Sequence, residues 1–269
     1  FVSLQSTSAS DNSHYDFTGH DSLIAWVYNP SQIQTRILKF PVPQQSFRLK
    51  DEFNQEIDYD LICDDDDDFS NFISTAACEI CFSSQIGTND LKPFLLVQTE
   101  GNQKSKLQSI LLPLLQANTI ALFNNEKLVI KTGAKDFEYI TCDGRSHPFS
   151  LSYGFYQSFD GMGQHSGAYI FRPSSNLKEY SQIEEVSVKK GSQVIEVKIV
   201  RSLLTTRLRF YNSDSVPQAI EIETKLASIP IDDQIGKEVI LNIYGTGIEN
   251  QGVFFTDANG LESQKRIRN

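Results

Sequence analysis

Almost every apolar stretch of this chain is short, β-branched or aromatic, and closed off by Pro, Asn, Asp or Gly, and that pattern leaves little room for helices. In the first part the runs are Leu23 to Tyr28, Thr35 to Val42, Phe47 to Lys50, Ile57 to Ile62 and Pro93 to Gln98. They are spaced as in a small β-sandwich. Tyr28-Asn29-Pro30 ends a strand, because Pro30 has no backbone donor and restricts Asn29. The link Asp51 to Glu56 suits a hairpin loop between two of the runs.

A second set of runs follows: Lys127 to Lys131, Phe137 to Thr141, Phe149 to Phe155, Ala168 to Phe171, Glu184 to Lys189, Gln193 to Arg201, Thr205 to Tyr211, Ala219 to Leu226, Val239 to Tyr244 and Gly252 to Thr256. The expected fold class is therefore all-β. A small β-sandwich domain over residues 1–100 is joined by a linker at 101–105 to a larger antiparallel β-sandwich over 106–269. Glu196 to Val200 and Glu221 to Lys225 alternate polar and apolar residues, so each should present one wet and one dry face. The one stretch with helical potential, Leu107 to Ala117, carries Pro113 inside it. No repeat of fixed period is visible.

The 269 residues are 39% hydrophobic and 22% charged, a globular rather than a disordered balance. A formal net charge of −10 argues against nucleic acid or an anionic membrane surface as partner, since there is no basic surplus to release counterions. The most apolar stretch, Leu107 to Phe123, is interrupted by Gln108, Ser109, Pro113, Gln116 and Asn118, so no membrane span is expected. The opening FVSLQSTSAS has no methionine and no signal-peptide pattern, and Met162 is the only methionine, so we expect an internal piece of a longer precursor.

Cys63, Cys78, Cys81 and Cys142 allow three pairings if all are bridged, and spacing does not choose among them. Cys78-Glu-Ile-Cys81 reads as a strand with its sulfurs on opposite faces, lacking a second CxxC or a histidine at zinc spacing. Asp64, Asp66 and Asp68 match the first ligands of an EF-hand loop. Phe69 then replaces its glycine and Thr75 its bidentate glutamate, which leaves a solvated acidic loop. Gly161-Met-Gly163 meets Ser166 where a dinucleotide fingerprint needs its third glycine, and His14, His20, His147 and His165 are scattered. No P-loop, HEXXH or G-x-S-x-G motif occurs, and an independent enzyme is not what these residues suggest.

Three longer stretches carry a resemblance. Ser166-Gly-Ala-Tyr-Ile-Phe-Arg-Pro173, then Ile229-Pro230 leading to Gly236-Lys-Glu-Val-Ile240, then Phe254-Phe-Thr-Asp-Ala-Asn-Gly-Leu-Glu262 resemble, in order and spacing, the β-region of class II α-mannosidases, glycoside hydrolase family 38. The lysosomal acid branch is the most similar. Val27-Tyr28-Asn29-Pro30 and the hairpin Phe47 to Ile62 resemble the small β-domain that precedes this region, so the likeness runs from about Leu23 to Arg268.

The resemblance implies a galactose-mutarotase-like large sandwich, incomplete in this chain, and a catalytic zinc with a carboxylate nucleophile and acid on a separate N-terminal α/β segment. There the zinc would grip two mannose hydroxyls, one aspartate would attack the anomeric carbon and another carboxyl would protonate the leaving sugar, with net retention. No residue of this chain maps onto those roles, so it should be inactive alone, without a catalytic or metal-binding residue of its own. Tyr169 resembles the family's β-domain tyrosine whose hydroxyl lines the substrate pocket, and Gly167 would permit a close backbone approach beside it. Asp257 and Asn259, in a Thr-Asp-x-Asn-Gly turn, would buttress the pocket. Arg172 could pair with an acidic rim or sit at the surface. The implied partners are the other proteolytic chains of the enzyme and a mannose-containing oligosaccharide, in a lysosome, an acidic vacuole or the secreted milieu. A homo-oligomer stays compatible with the pattern. The basic end Lys265 to Arg268 suits proteolytic maturation, whereas the Asp64 to Asp68 run and the lack of N-x-S/T sequons depart from that branch. The rival reading is a stand-alone carbohydrate-binding or structural sandwich presenting exposed aromatics to sugar.

Overall fold

The computed structural model describes residues 21–30, 35–43, 45–63, 78–100, 107, 109–133, 136–159, 161–167, 170–174, 176–180, 182–212, 220–246, 251–257 and 262–268. The expected linker at 101–105, the Asp64 to Asp68 run, Tyr169 and Asn259 lie outside the described residues.

The fold is all-β, and its strands are antiparallel throughout the described sheets. In the first sandwich, β1 (Ser22–Asn29), β6 (Asp90–Thr99) and β3 (Ser46–Lys50) form one sheet in the order β1-β6-β3. The other sheet contains β2 (Thr35–Val42), β5 (Cys78–Gln85) and β4 (Asp60–Cys63), ordered β2-β5-β4. The alternation of β1 buries Ala25 and Val27 and leaves Trp26 and Tyr28 outside, as its period-two pattern requires. Phe40, Phe82 and Phe94 meet edge to face between the sheets, with Phe82 5.2 and 5.1 Å from the other two ring centroids. At the end of β1, buried Asn29 donates its side-chain amide to the Ile86 carbonyl at 2.9 Å, which fixes the neighbouring strand end.

The Asp51 to Glu56 link does form a tight turn. The Asp51 N–H donates to the Gln55 carbonyl, and the Asp51 carboxylate accepts from the N–H groups of Phe53 and Gln55. The two runs it joins then separate: β3 pairs with β6, whereas β4 pairs with β5 in the opposite sheet. Within β4–β5, Cys63 and Cys78 are register partners and form a disulfide, while Cys81 on the other face of β5 is a buried free thiol and Cys142 an exposed one.

The second sandwich begins with β7 (Ser109–Leu111), where a helix was the alternative; Pro113 and the turn at 114–116 follow it, and no α-helix forms over the described residues. One sheet contains β8 (Asn118–Ala121), β9 (Lys127–Ile130), β10 (Asp136–Ile140), β11 (Ser146–Gln157) and β12 (Lys178–Glu179). The opposed sheet joins β7 to β13 (Ile183–Lys190), β14 (Val194–Arg201), β15 (Leu204–Tyr211) and β16 (Glu221–Leu226). Phe137, Leu151, Val197, Leu208 and Phe210 fill the space between them. Tyr153 is buried there with its hydroxyl bonded to Thr206 and Thr224 at 2.8 and 2.7 Å. β17 (Lys237–Gly245) runs along β11 on the side away from β10, and β18 (Val253–Asp257) with β19 (Ser263–Ile267) makes a separate hairpin.

The wet face expected on β14 is not wet. Glu196 is 2% exposed, because the outer face of the β2-β5-β4 sheet covers the outer face of β14-β15-β16. Register places Arg209 between Glu196 and Glu221, and Arg207 between Lys198 and Glu223. The Arg209 guanidinium reaches Glu196 at 2.8 Å and Glu221 at 3.5 Å on its own sheet, and Glu79 of β5 at 3.3 Å across the joint. Lys39 of β2 crosses in the same direction to both Glu221 oxygens at 2.8 Å, and Tyr211 donates its hydroxyl to Glu221 at 2.9 Å. Two further bonds tie the sandwiches: Lys189 donates to the Cys63 carbonyl at 3.0 Å, and Asp60 of β4 caps the β13–β14 turn.

This joint has a pH signature. Burial raises the Glu79 carboxyl above its ordinary range, and the like charges of Glu221 and Glu223 add to that, against the pull of Arg209 and Lys39. Burial would raise Glu221 as well, but the Lys39 ammonium, the Tyr211 hydroxyl and Arg209 hold it below the ordinary range. The stability contributed by neutral Glu79 is complete below the ordinary carboxylate range and is lost as pH rises through the raised value. That of ionised Glu221 is present above the ordinary range and lost as pH falls through the lowered value. The joint is thus strongest in mild acid. Melting temperature should fall from mildly acid to neutral pH, and Glu79→Gln should flatten that fall; an unchanged profile in the variant would show that Glu79 does not titrate this contact.

Candidate functional site

Residues 158–174 leave β11 and return to β12 as a loop tied across its base. The Phe159 N–H donates to the Arg172 carbonyl at 2.7 Å, and Ser174 N–H to the Gln157 carbonyl at 2.9 Å. Ser166 closes it from within, since its Oγ accepts from the Arg172 N–H at 2.8 Å and donates to the Arg172 carbonyl at 3.1 Å. That bonding is why Ile170 and Phe171 are not in a strand, as the Ala168 to Phe171 run was expected to be: the local side-chain bonds compete with a ladder, and Pro173 supplies no donor to extend one. Arg172 turns back on the loop, donating to Gln164 at 2.6 Å and to the His165 carbonyl, and pairs with no acidic rim among the described residues. Gly154, at the exit of β11, lets the chain at Leu177–Lys178 pass over it; a Cβ there would lie 2.7 Å from the Lys178 carbonyl.

The second motif is brought beside the first. The Gly236 carbonyl accepts from the Ser158 N–H at 2.8 Å, so the start of β17 sits at the base of the loop. Lys237 fixes the preceding turn by donating to both Asp233 oxygens at 2.8 Å and to the Pro230 carbonyl at 2.8 Å. This ammonium's hydrogen bond, with a backbone bond from Ile235, holds the exposed Asp233 carboxyl below its usual range. The third motif lies on the β18–β19 hairpin, which hydrogen-bonds to no other described strand. Asp257 pairs with Ser263 at the hairpin's closing end.

Of the four residues expected to line or support the pocket, Tyr169, Gly167, Asp257 and Asn259, only Gly167 is described in full. Its N–H donates to the Ile170 carbonyl, and a Cβ built on it meets nothing within 4 Å among the described residues. Sequence reasoning missed Ser166, Asp233 and Lys237 as the residues that hold the two motifs in shape; each lies inside or beside a quoted motif, but hydroxyl and ion-pair roles leave no periodic trace.

The surface around these motifs is unusually apolar. Ile243 and Tyr244 of β17, Phe255 of β18 and Ile267 of β19 are all 60% or more exposed, and Ile170 is exposed as well. Among the described residues no three His, Cys, Asp or Glu side chains come together as a metal ion would need. What the described residues offer is a tied loop, a hydrogen-bonded motif pair and uncovered apolar strand, which can contact a ligand or another polypeptide.

Residues 142–269 match a family model described as the Glycosyl hydrolases family 38 C-terminal domain. The chain is 34% identical over 143 residues to the alpha-mannosidase of Canavalia ensiformis, covering 51% of this chain and 14% of that protein. It is 25% identical over 252 residues to the lysosomal alpha-mannosidase of Cavia porcellus, covering 90% of this chain and 24% of the relative. With the lysosomal alpha-mannosidase of Mus musculus it shares 35% identity over 126 residues, 45% of this chain and 12% of that one. The chain therefore spans a quarter or less of the length of these curated relatives.

Proposed function

We propose, from the match of residues 142–269 to the glycosyl hydrolase family 38 C-terminal domain, that the chain is the β-domain polypeptide of an acid α-mannosidase. In this reading the complete enzyme removes terminal non-reducing α-D-mannose from N-glycans with retention, in a lysosome or similar acidic compartment. In the same reading zinc and the catalytic carboxylates sit on another segment, which would contribute the reacting groups. The chain divides at 101–105 into a small sandwich and a partial large one, and the large one packs against the zinc-bearing segment.

The observation that carries the reading is the family match over residues 142–269, the segment that contains both the tied loop and the uncovered apolar strands. Exposed aromatic and aliphatic side chains on β17, β18 and β19 are what a domain shows when its natural neighbour is another segment of the same enzyme. Tyr169, within the Ser166 to Pro173 octet, would supply a hydroxyl to the substrate, with Gly167, Asp257 and Asn259 supporting the pocket wall.

Two measurements test this. The 269-residue chain by itself should release no nitrophenol from 4-nitrophenyl α-D-mannoside, and mass spectrometry of the native particle should find it with a peptide rich in His and Asp zinc ligands. Hydrolysis by the isolated chain, or a native particle with no such peptide, would overturn the assignment. The second case would favour the rival reading, a sugar-binding sandwich. That reading draws on Trp26 and Tyr28, which stand two residues apart on the outer face of β1 and are 50% and 42% exposed. Binding of mannan by the isolated chain, abolished in Trp26→Ala, would support it.

A further inference from the structure

A pocket of about 480 Å³ opens at one end of the β8–β11 sheet, away from the motifs above, between the turn that enters β9 and the turn that joins β10 to β11. Asn124 and Asn125, both in the left-handed region, fold the first turn tightly enough that Glu126 is drawn inward. Glu126 is only 6% exposed, it lines the pocket, and its Oε2 makes no well-formed hydrogen bond among the described residues. The Tyr139 hydroxyl, on the facing strand β10, is likewise buried; it makes no well-formed hydrogen bond among the described residues and has the Glu126 carboxylate as its adjacent acceptor. Burial, and then the adjacent Glu126 carboxylate, push that phenol up, so it stays neutral. The Tyr139 ring and His147, 6.3 Å apart between centroids, make a flat wall. At the rim, Arg145 is held by Asp143 at 2.9 Å, and Asp143 also accepts from Thr141, so these charges are spent on each other.

Among the described residues the lining thus carries one carboxylate, Glu126, with no cation paired to it, beside a phenol oxygen that can also accept. A buried carboxylate oxygen with no cation and no well-formed hydrogen bond is costly, and a neutral occupant would leave its charge in place. An alkylammonium or guanidinium group supplies both the opposite charge and several N–H donors, and its alkyl stem suits the aromatic wall. We propose that this pocket binds a single primary ammonium or guanidinium head group, carried by a small molecule or by a lysine or arginine side chain.

Cys142 lines the same pocket and is an exposed free thiol, whereas the other free thiol, Cys81, is buried, so alkylation of Cys142 reports occupancy. In the full chain, n-butylammonium should slow carbamidomethylation of Cys142 by iodoacetamide saturably, and n-butanol and butyrate should not. Glu126→Gln, checked for an unchanged melting temperature, should weaken that protection about tenfold. Protection by a lysine-containing peptide at lower concentration than by n-butylammonium identifies a side chain as the source, and the reverse order a small molecule. If the three isosteres act alike, or none protects, the pocket holds only solvent and the proposal fails. It fails equally if Glu126→Gln is protected as well as the wild type. Should the variant not fold, the comparison of the three probes on the wild-type chain decides.

Discussion

Arg209→Met should destabilise the folded chain by about 3–5 kcal/mol, the range found when one partner is removed from a buried ion pair. Glu196 is the reason. Its side chain is nearly sealed from water, and Arg209 is its nearest cation, at 2.8 Å, with Arg207 more distant at 3.9 Å. Methionine fills much of the space of the arginine stem but leaves that carboxylate to be desolvated with one weaker partner. Glu79 and Glu221 lose the same guanidinium, although Lys39 remains on Glu221. Urea denaturation of wild type and variant gives the loss directly. The double variant Glu196→Leu with Arg209→Met separates two meanings of the result. It should recover most of the stability if the cost lies in a stranded charge, and should recover little if the arginine acts mainly through its contacts across the joint. A loss under about 1 kcal/mol in the single variant would mean that the joint is hydrated and worth no more than a surface pair.

That buried network marks where reading the sequence stops being sufficient. The strands themselves are legible: β-branched and aromatic runs closed by Pro, Asn and Gly give β1, β2, β13, β14 and β15 nearly residue for residue, because those residue types suit a pleated surface whatever covers it. The alternation of Glu196, Lys198 and their neighbours correctly puts them on one face. It cannot say that the face meets a second sheet, since a polar face turned to water and one turned to a complementary polar face have the same pattern. Pairing is lost for a related reason. The Asp51 turn is local and can be read from its residues, but which sheet takes β4 depends on Leu61 and Cys63 facing Ile80 and Cys78, contacts with no local signature. Within the candidate site, the octet containing Ser166 reads as a strand because Ile170 and Phe171 favour one. The two bonds between Ser166 and the Arg172 backbone, which override that preference, come from one hydroxyl that composition cannot distinguish from any other.

The second contact across the joint is a single side chain, and removing it should cost about as much. The carboxylate of Asp60, at the start of β4, accepts from the backbone N–H groups of Ser192, Gln193 and Val194 at 3.1, 2.6 and 2.9 Å, and from the Ser192 hydroxyl at 3.3 Å. These belong to the tight turn between β13 and β14, where the Gly191 N–H donates to the Val194 carbonyl. Gly191 is needed there because a Cβ would fall 2.0 Å from Asp60 Oδ2. Asp60→Ala leaves those donors to find water in a crowded seam. With unmet buried donors costing about 1–3 kcal/mol each, a total loss of about 3 kcal/mol is expected. Gly191→Ala should lose a comparable amount by displacing the carboxylate, and combining the two should cost much less than their sum, because both act on the same bonds. Strict additivity in that cycle would show that the turn is held by β13 and β14 alone. Since Asp60 lies on the small sandwich and its partners on the large one, the variants should also separate the unfolding of the two: Trp26 fluorescence on β1 should no longer change together with the far-ultraviolet signal of the whole chain. Coincident transitions would mean that the charged network alone keeps the sandwiches folding as one unit.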